Sequence, residues 1–186
     1  MIENAVRLLR EGRVIVYPTD TVYGLGADAM NESAVKRIFE IKGRERGMAI
    51  SVAVCDVEMA REYSELNELA ERLFVHHMPG ALTLVVKNKK LPGVLTGGSG
   101  TIGIRMPADE IALGIIRGLG RPITATSANV HGRPPARSAD EARAQLGDEV
   151  DLYIDGGERG GEPSTVYDCV SGRIIRQGSV VIENYL

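Results

Sequence analysis

Apolar residues along this chain fall into short clusters separated by glycine, proline and serine. Ile2, Ala5, Val6 and Leu9 recur at helical spacing and Gly12 supplies a stop, which predicts an amino-terminal helix. Val14-Ile15-Val16-Tyr17 is a largely β-branched run ended by Pro18 and reads as a buried strand. Asn31 or Ser33 caps a second helix, whose inner face is Ala34, Val35, Ile38, Phe39 and Ile41 and which closes at Lys42-Gly43. Residues 50–54 read as a strand, 56–64 and 66–77 as helices, and Pro79-Gly80 breaks the chain before a strand over 82–87. A strand over 101–106, a helix over 111–119 stopped by Gly120, and a strand over 122–126 follow. Ser138 and Glu141 fit a capping box. The end is strand-rich, over 150–154, 165–170 and 173–176.

Strands and helices are thus interleaved, but some strand neighbours near the end are joined by turns too short for a parallel crossover. The expectation is one α/β domain over residues 1–186, with a twisted mixed parallel and antiparallel sheet flanked by helices. Glycine-rich loops at 97–100 and 156–162 are the two segments free enough to move over a ligand.

Composition narrows the classes. Aromatic residues are few, so the core rests on Val, Ile, Leu, Ala and Met; the net charge of −3 gives no global basic field for nucleic acid. Cys55 and Cys169 stand far apart with no C-x-x-C and read as free thiols of a reducing compartment. No apolar run approaches the ~20 residues that cross a bilayer, and a cytoplasmic protein is expected.

Candidate chemistry begins after the first strand. Gly24-Leu25-Gly26-Ala27-Asp28-Ala29 scans as G-x-G-x-x-A, but a dinucleotide fingerprint runs from strand directly into its first glycine and then into a helix. Here Pro18 to Tyr23 intervenes and the next helix starts near Asn31. Two readings remain: a glycine-rich turn, or a pocket wall in which Thr19, Asp20, Thr21 and Tyr23 need polar partners. Lys42, Arg44 and Arg46 sit at a helix carboxyl end, either complementing its dipole or holding a polyphosphate or carboxylate. Residues 124–129 place small polar groups where a strand meets a loop, the edge at which open α/β sheets bind ligands. Glu162-Pro163-Ser164-Thr165 and Arg176-Gln177-Gly178 make two further polar corners. There is no P-loop and no G-x-S-x-G; His76 and His77 are adjacent and His131 is isolated, so a dedicated protein-ligated metal site is not expected.

Taken together, these stretches resemble one family. Pro18-Thr-Asp-Thr-Val-Tyr-Gly-Leu-Gly, Ile38-Phe-Glu-Ile-Lys-Gly-Arg, Pro79-Gly-Ala-Leu-Thr, Thr101-Ile-Gly-Ile-Arg-Met-Pro, Ser127-Ala-Asn, Ser164-Thr-Val and Ile175-Arg-Gln-Gly occur in the order found in the YrdC family, the threonylcarbamoyl-AMP synthases. The resemblance covers nearly the whole chain. It implies a YrdC-like fold around a basic concave cavity, without the carboxyl-terminal domain of the long form. It also implies a nucleotidyltransferase that joins L-threonine, bicarbonate and ATP into L-threonylcarbamoyl-AMP, releasing pyrophosphate, for threonylcarbamoyladenosine modification of tRNA. By motif match, K-x-R falls on Lys42 and Arg44 and S-x-N on Ser127 and Asn129, implied contacts of the ATP phosphates, with Lys42 and Arg44 catalytic. Thr21 and Arg105 match threonine-binding positions, and Thr101 and Arg176 match nucleotide contacts. Mg²⁺ is implied on the phosphates, held mainly by the nucleotide. On this reading the stretch from Pro18 is the threonine-side wall.

Two positions depart from the family pattern. Met48 stands where many members carry a lysine or asparagine, and Ala53 where many carry a histidine that touches threonine; Arg46 is a candidate substitute cation. The alternative is a relative without synthase activity whose cavity binds a nucleotide, double-stranded RNA or tRNA. Other tRNA-modification proteins are possible partners.

Overall fold

The structure, a computed structural model, describes residues 1–45 and 47–182. The chain begins with α1 (Ile2–Arg10), β1 (Ile15–Tyr17), β2 (Gly24–Gly26), α2 (Glu32–Lys42), β3 (Val52–Ala53) and α3 (Val57–Tyr63). Next come β4 (Ser64–Glu65), α4 (Glu68–His77), β5 (Leu82–Asn88), α5 (Gly93–Thr96), β6 (Thr101–Arg105) and α6 (Glu110–Leu119). The remainder is β7 (Ile123–Thr124), β8 (Thr126–Ser127), α7 (Ala139–Leu146), β9 (Leu152–Tyr153), β10 (Thr165–Asp168) and β11 (Arg173–Arg176). Arg46, the candidate substitute cation, lies outside the described residues.

Helix starts follow side-chain chemistry. Asn31, not Ser33, caps α2, its Oδ1 accepting the Ala34 N–H at 3.1 Å, and the helix ends where Gly43 turns left-handed at φ 58°. Asn67 caps α4 the same way, which delays that helix past Leu66. Ser138 caps α7 through Glu141 N–H at 3.1 Å, but the Glu141 carboxylate accepts Arg137 N–H at 2.7 Å, one residue before the position a capping box uses.

The expected mixed sheet is divided in two. One sheet runs β8-β2-β1-β9; the other runs β11-β10-β5-β6-β3-β7, with β4 also paired to β5. Pairs β1–β9, β5–β10 and β3–β6 are parallel and the rest antiparallel. Strand β2 was not legible in the sequence, because Gly-Leu-Gly carries almost no β signal. Its glycines answer to Tyr17 on β1: a Cβ at Gly24 would stand 2.7 Å from the Tyr17 ring, and one at Gly26 2.9 Å from it. The G-x-G spacing is therefore a packing requirement between two strands, not a phosphate loop.

The main core gathers one face of the larger sheet (Val52, Leu84, Ile104 and Tyr167 in register) beneath α2 and α4, which contribute Ile38, Phe39 and Leu73. A second core joins α1, α6 and β1 through Leu9, Ile15, Ile115 and Ile116. Burying each such side chain contributes roughly 1.5–3 kcal/mol. Among the described residues no helix is long and apolar enough to cross a membrane.

Candidate functional site

The opposite face of the larger sheet is polar. Strand register sets Arg176 of β11 beside Val166 of β10, and Val166 beside Thr83 of β5. Arg105 of β6 lies one step beyond the Val85–Gly103 pair, on the same face as Thr83. Together these make one transverse row across four strands. The smaller sheet faces them with Thr126 and Ser127 of β8 and, from the β1–β2 connection, Thr21 and Val22. Between the sheets is a cavity of about 280 Å³ whose walls carry Arg44, Arg105 and Arg176 and, among the described residues, no carboxylate. Gly103 leaves room for the wall residue Ser51, since a Cβ there would sit 2.3 Å from Ser51 Oγ.

Arg105 is 7% exposed and fixed on two sides. Its Nη2 donates to Asp20 Oδ1 at 2.7 Å and its Nη1 to Thr21 Oγ1 at 3.0 Å, while Nε–H is buried without a partner. Asp20 Oδ1 also accepts Ala108 N–H at 3.2 Å. Arg176 donates from Nε and Nη2 to the Ser164 carbonyl at 3.1 and 2.8 Å, and the Ser164 hydroxyl is 2.9 Å from Thr83 Oγ1. Burial, then the nearby Arg105 charge, lowers the Arg176 pKa.

Arg44 leaves the end of α2, donates Nη2 to the Ala49 carbonyl at 2.7 Å and keeps a buried Nε–H without a partner. Burial lowers its pKa too. Lys42 behaves differently. It is 2% exposed and is not on the cavity wall; its Nζ donates to the carbonyls of Ser127 and Asn129, the latter at 2.9 Å. Burial, and secondarily Arg44, lowers its pKa to about 8. Asn129 also stands behind the wall, its Nδ2 donating to the carbonyls of Val130 at 2.9 Å and Arg133 at 2.8 Å, with Oδ1 buried and unpartnered.

Of the residues singled out by sequence, Thr21, Arg44, Arg105, Ser127 and Arg176 line one cavity. Lys42 and Asn129 do not; their side chains turn inward to donate to backbone carbonyls of the 127–133 segment. Thr101 is not in the wall either; it opens β6, roughly 13 Å of strand from Arg105, with its hydroxyl 3.0 Å from Ser99 Oγ. It shares the sheet face of Gly103 and Arg105, so only an elongated ligand lying along β6 reaches both. Met48 is partly exposed beside the wall residues Ala49 and Ile50. Ala53 lines a side chamber of about 30 Å³ beyond Arg105. Sequence reading missed Ser51 and gave Thr83 no role; both are single hydroxyls inside apolar strands, and only the strand register brings them to the cavity.

The loop at 156–162 is fastened. Tyr23 Oη accepts Gly156 N–H at 2.9 Å and donates to the Gly157 carbonyl at 2.8 Å, and Gly161 N–H reaches the Thr21 carbonyl at 3.1 Å. Arg159 Nη2 adds an ion pair to Asp109 at 3.0 Å.

A cleft between two sheets, walled among the described residues by three guanidinium groups and several hydroxyls, makes an α/β protein whose cavity is suited by charge to a small polyanion. The chain belongs to the Sua5/YciO/YrdC family, described as "Telomere recombination", whose model matches residues 7–178. It is 42% identical to the threonylcarbamoyl-AMP synthase of Pyrococcus abyssi, over 98% of this chain and 55% of that protein. It is 39% identical to that of Bacillus subtilis, over 98% of this chain and 54% of that one. The crystal structure of P. abyssi Sua5 complexed with L-threonine superposes with a TM-score of 0.92, at 42% identity, over 95% of this chain and 54% of that chain. The chain thus spans about half the length of these relatives.

Proposed function

We propose that this domain synthesises L-threonylcarbamoyl-AMP from L-threonine, bicarbonate and ATP, with release of pyrophosphate. The observation that carries this reading is the wall of Arg44, Arg105 and Arg176 around one cavity, with no carboxylate on it among the described residues, in a chain similar to proteins named for that reaction.

The threonine amine adds to the carbon of bicarbonate, losing water to give a carbamate. A carbamate oxygen then attacks the α-phosphorus, and the bond to the β-phosphate bridging oxygen breaks. The carbamate and ATP are both anionic, so the barrier is lowered by holding them in line and screening their repulsion. Arg105 suits the threonine carboxylate because Asp20 and Thr21 already hold its guanidinium in place. Arg44, Arg176 and Ser127 suit the phosphates, and we assign the nucleoside end to the part of the β6 face that leads to Thr101. Lys42 adds positive charge from behind Ser127 and fixes the strand end that presents it.

Among the described residues the cavity wall offers no carboxylate and no group of His, Cys, Asp and Glu could cage a metal. That donor set fits a Mg²⁺ held by phosphates and water, which would neutralise part of the triphosphate charge. The product is an activated carbamoyl donor, suited to modification of a tRNA adenosine.

The test is to incubate the protein with ATP, Mg²⁺ and bicarbonate, with and without L-threonine, and to measure pyrophosphate and the adenylate. Product that depends on threonine is the expected result. No product, together with RNA binding that weakens steeply with salt, would move the cavity to RNA.

A further inference from the structure

The hydroxyls of Thr19 and Thr21 form a chain whose direction can be read from their partners. Thr19 is 4% exposed and lies outside the wall of the main cavity. Its Oγ1 is 2.6 Å from the Val22 carbonyl, which can only accept, so the single Thr19 hydroxyl proton is spent there. Thr19 Oγ1 also accepts Thr21 N–H at 3.2 Å and lies 3.0 Å from Thr21 Oγ1. Since Thr19 has no proton left, Thr21 is the donor in that hydroxyl pair. Arg105 Nη1, a donor only, fills one lone pair of Thr21 Oγ1 at 3.0 Å. Thr21, a lining residue of the cavity that is itself 3% exposed, is therefore left with one free lone pair and no proton.

We propose that Thr19 is a positioning residue that makes Thr21 an obligate acceptor, so that Thr21 receives an N–H of the substrate's α-amino group while Arg105 holds its carboxylate. The inference rests on the threonine reading above. A carboxylate oxygen placed at Thr21 would face a lone pair and be repelled. The Thr19–Thr21 chain thereby fixes which end of the amino acid meets which wall, and the amine is turned to where bicarbonate must be attacked.

The test compares L-threonine with 3-hydroxybutyrate, the same molecule with hydrogen in place of the amino group, by dissociation constants from NMR titration. Wild type is expected to prefer L-threonine. In Thr19→Val the Thr21 hydroxyl regains freedom to rotate, and the preference should fall by about tenfold, the loss of one charge-assisted hydrogen bond. Thr19→Ser should restore it to within about threefold. If Thr19→Val does not fold, Thr19→Cys poses the same question, because a thiol is a weak acceptor. An unchanged preference, or equal weakening of both ligands, would overturn the positioning role. Failure of wild type to bind L-threonine at all would instead remove the substrate reading on which it rests.

Discussion

The cationic lining of the cavity has two ends, a wired wall and a bare wall, held on opposite principles. Arg105 is buried, paired with Asp20 at 2.7 Å and held again by Thr21. Arg44, Arg176 and the recessed Lys42 have no carboxylate partner among the described residues, only carbonyl oxygens and, for Arg176, the Ser164 hydroxyl. A guanidinium neutralised by a carboxylate adds little net field, so its use lies in orientation and hydrogen-bond direction. Guanidinium groups left unneutralised raise the local potential and suit a polyphosphate. Under the proposed function, the first wall suits the amino acid and the second the triphosphate.

The largest effect should come from removing charge on the bare wall. Arg44→Ala is expected to lower kcat/KM for ATP by roughly 100- to 1000-fold, with a cooperative melting transition retained, since its described hydrogen bond is to the Ala49 carbonyl alone. Loss of that transition would mean Arg44 is structural. Salt sharpens the contrast, because half-exposed cations are screened. ATP affinity should weaken between low and moderate ionic strength more steeply than threonine affinity.

Next in size is the wired wall. Asp20→Asn keeps an acceptor for Arg105 and Ala108 but removes the neutralising charge. Stability should fall by about 3 kcal/mol, and KM for threonine should rise about tenfold while KM for ATP stays within about twofold. Equal changes in both would erase the division of labour between the walls.

The division was only partly legible in sequence. Helix α2 was, because its apolar spacing, Asn31 and Gly43 all favour the same element. The motif residues Thr21, Arg44, Arg105, Ser127 and Arg176 do meet at one cavity. What spacing could not reveal is direction. Lys42 and Arg44 stand two residues apart, yet the left-handed Gly43 between them turns Arg44 to the cavity and leaves Lys42 in the interior. Asn129 turns inward in the same way, its amide closing the 129–133 loop. The Asp20–Arg105 pair spans 85 positions of sequence and appears only when β6 meets the β1–β2 connection.

Lys42 yields a smaller effect with a defined sign. Its folded pKa of about 8 lies below its ordinary 10.5, so between those values the unfolded chain binds more protons than the folded one. Stability attributable to this group therefore rises as pH climbs through that window, and the cost of burying its charge is fully present below pH 8. Chemical denaturation of wild type and Lys42→Met from pH 7 to 10.5 should show wild type gaining relative to the variant as pH rises. A difference that stays flat with pH would mean the two carbonyls hold the ammonium charged throughout.

The smallest expected effect concerns Ala53. It lies on the side chamber of about 30 Å³ beside Arg105, with Tyr17, Tyr23 and Pro107 as neighbours. If the wired wall takes the amino acid, this chamber adjoins its bound position, and a larger polar side chain at 53 would reach the ligand rather than the triphosphate. Ala53→His is accordingly expected to leave turnover equal or up to about threefold higher, with any change in KM confined to threonine. A large loss of activity with ATP affinity intact would mean that the space beside Arg105 is needed by the substrate itself, which would move the amino acid deeper than the wall of Thr21 and Arg105. A loss of ATP affinity would break the contrast more completely, by putting both substrates on the same wall.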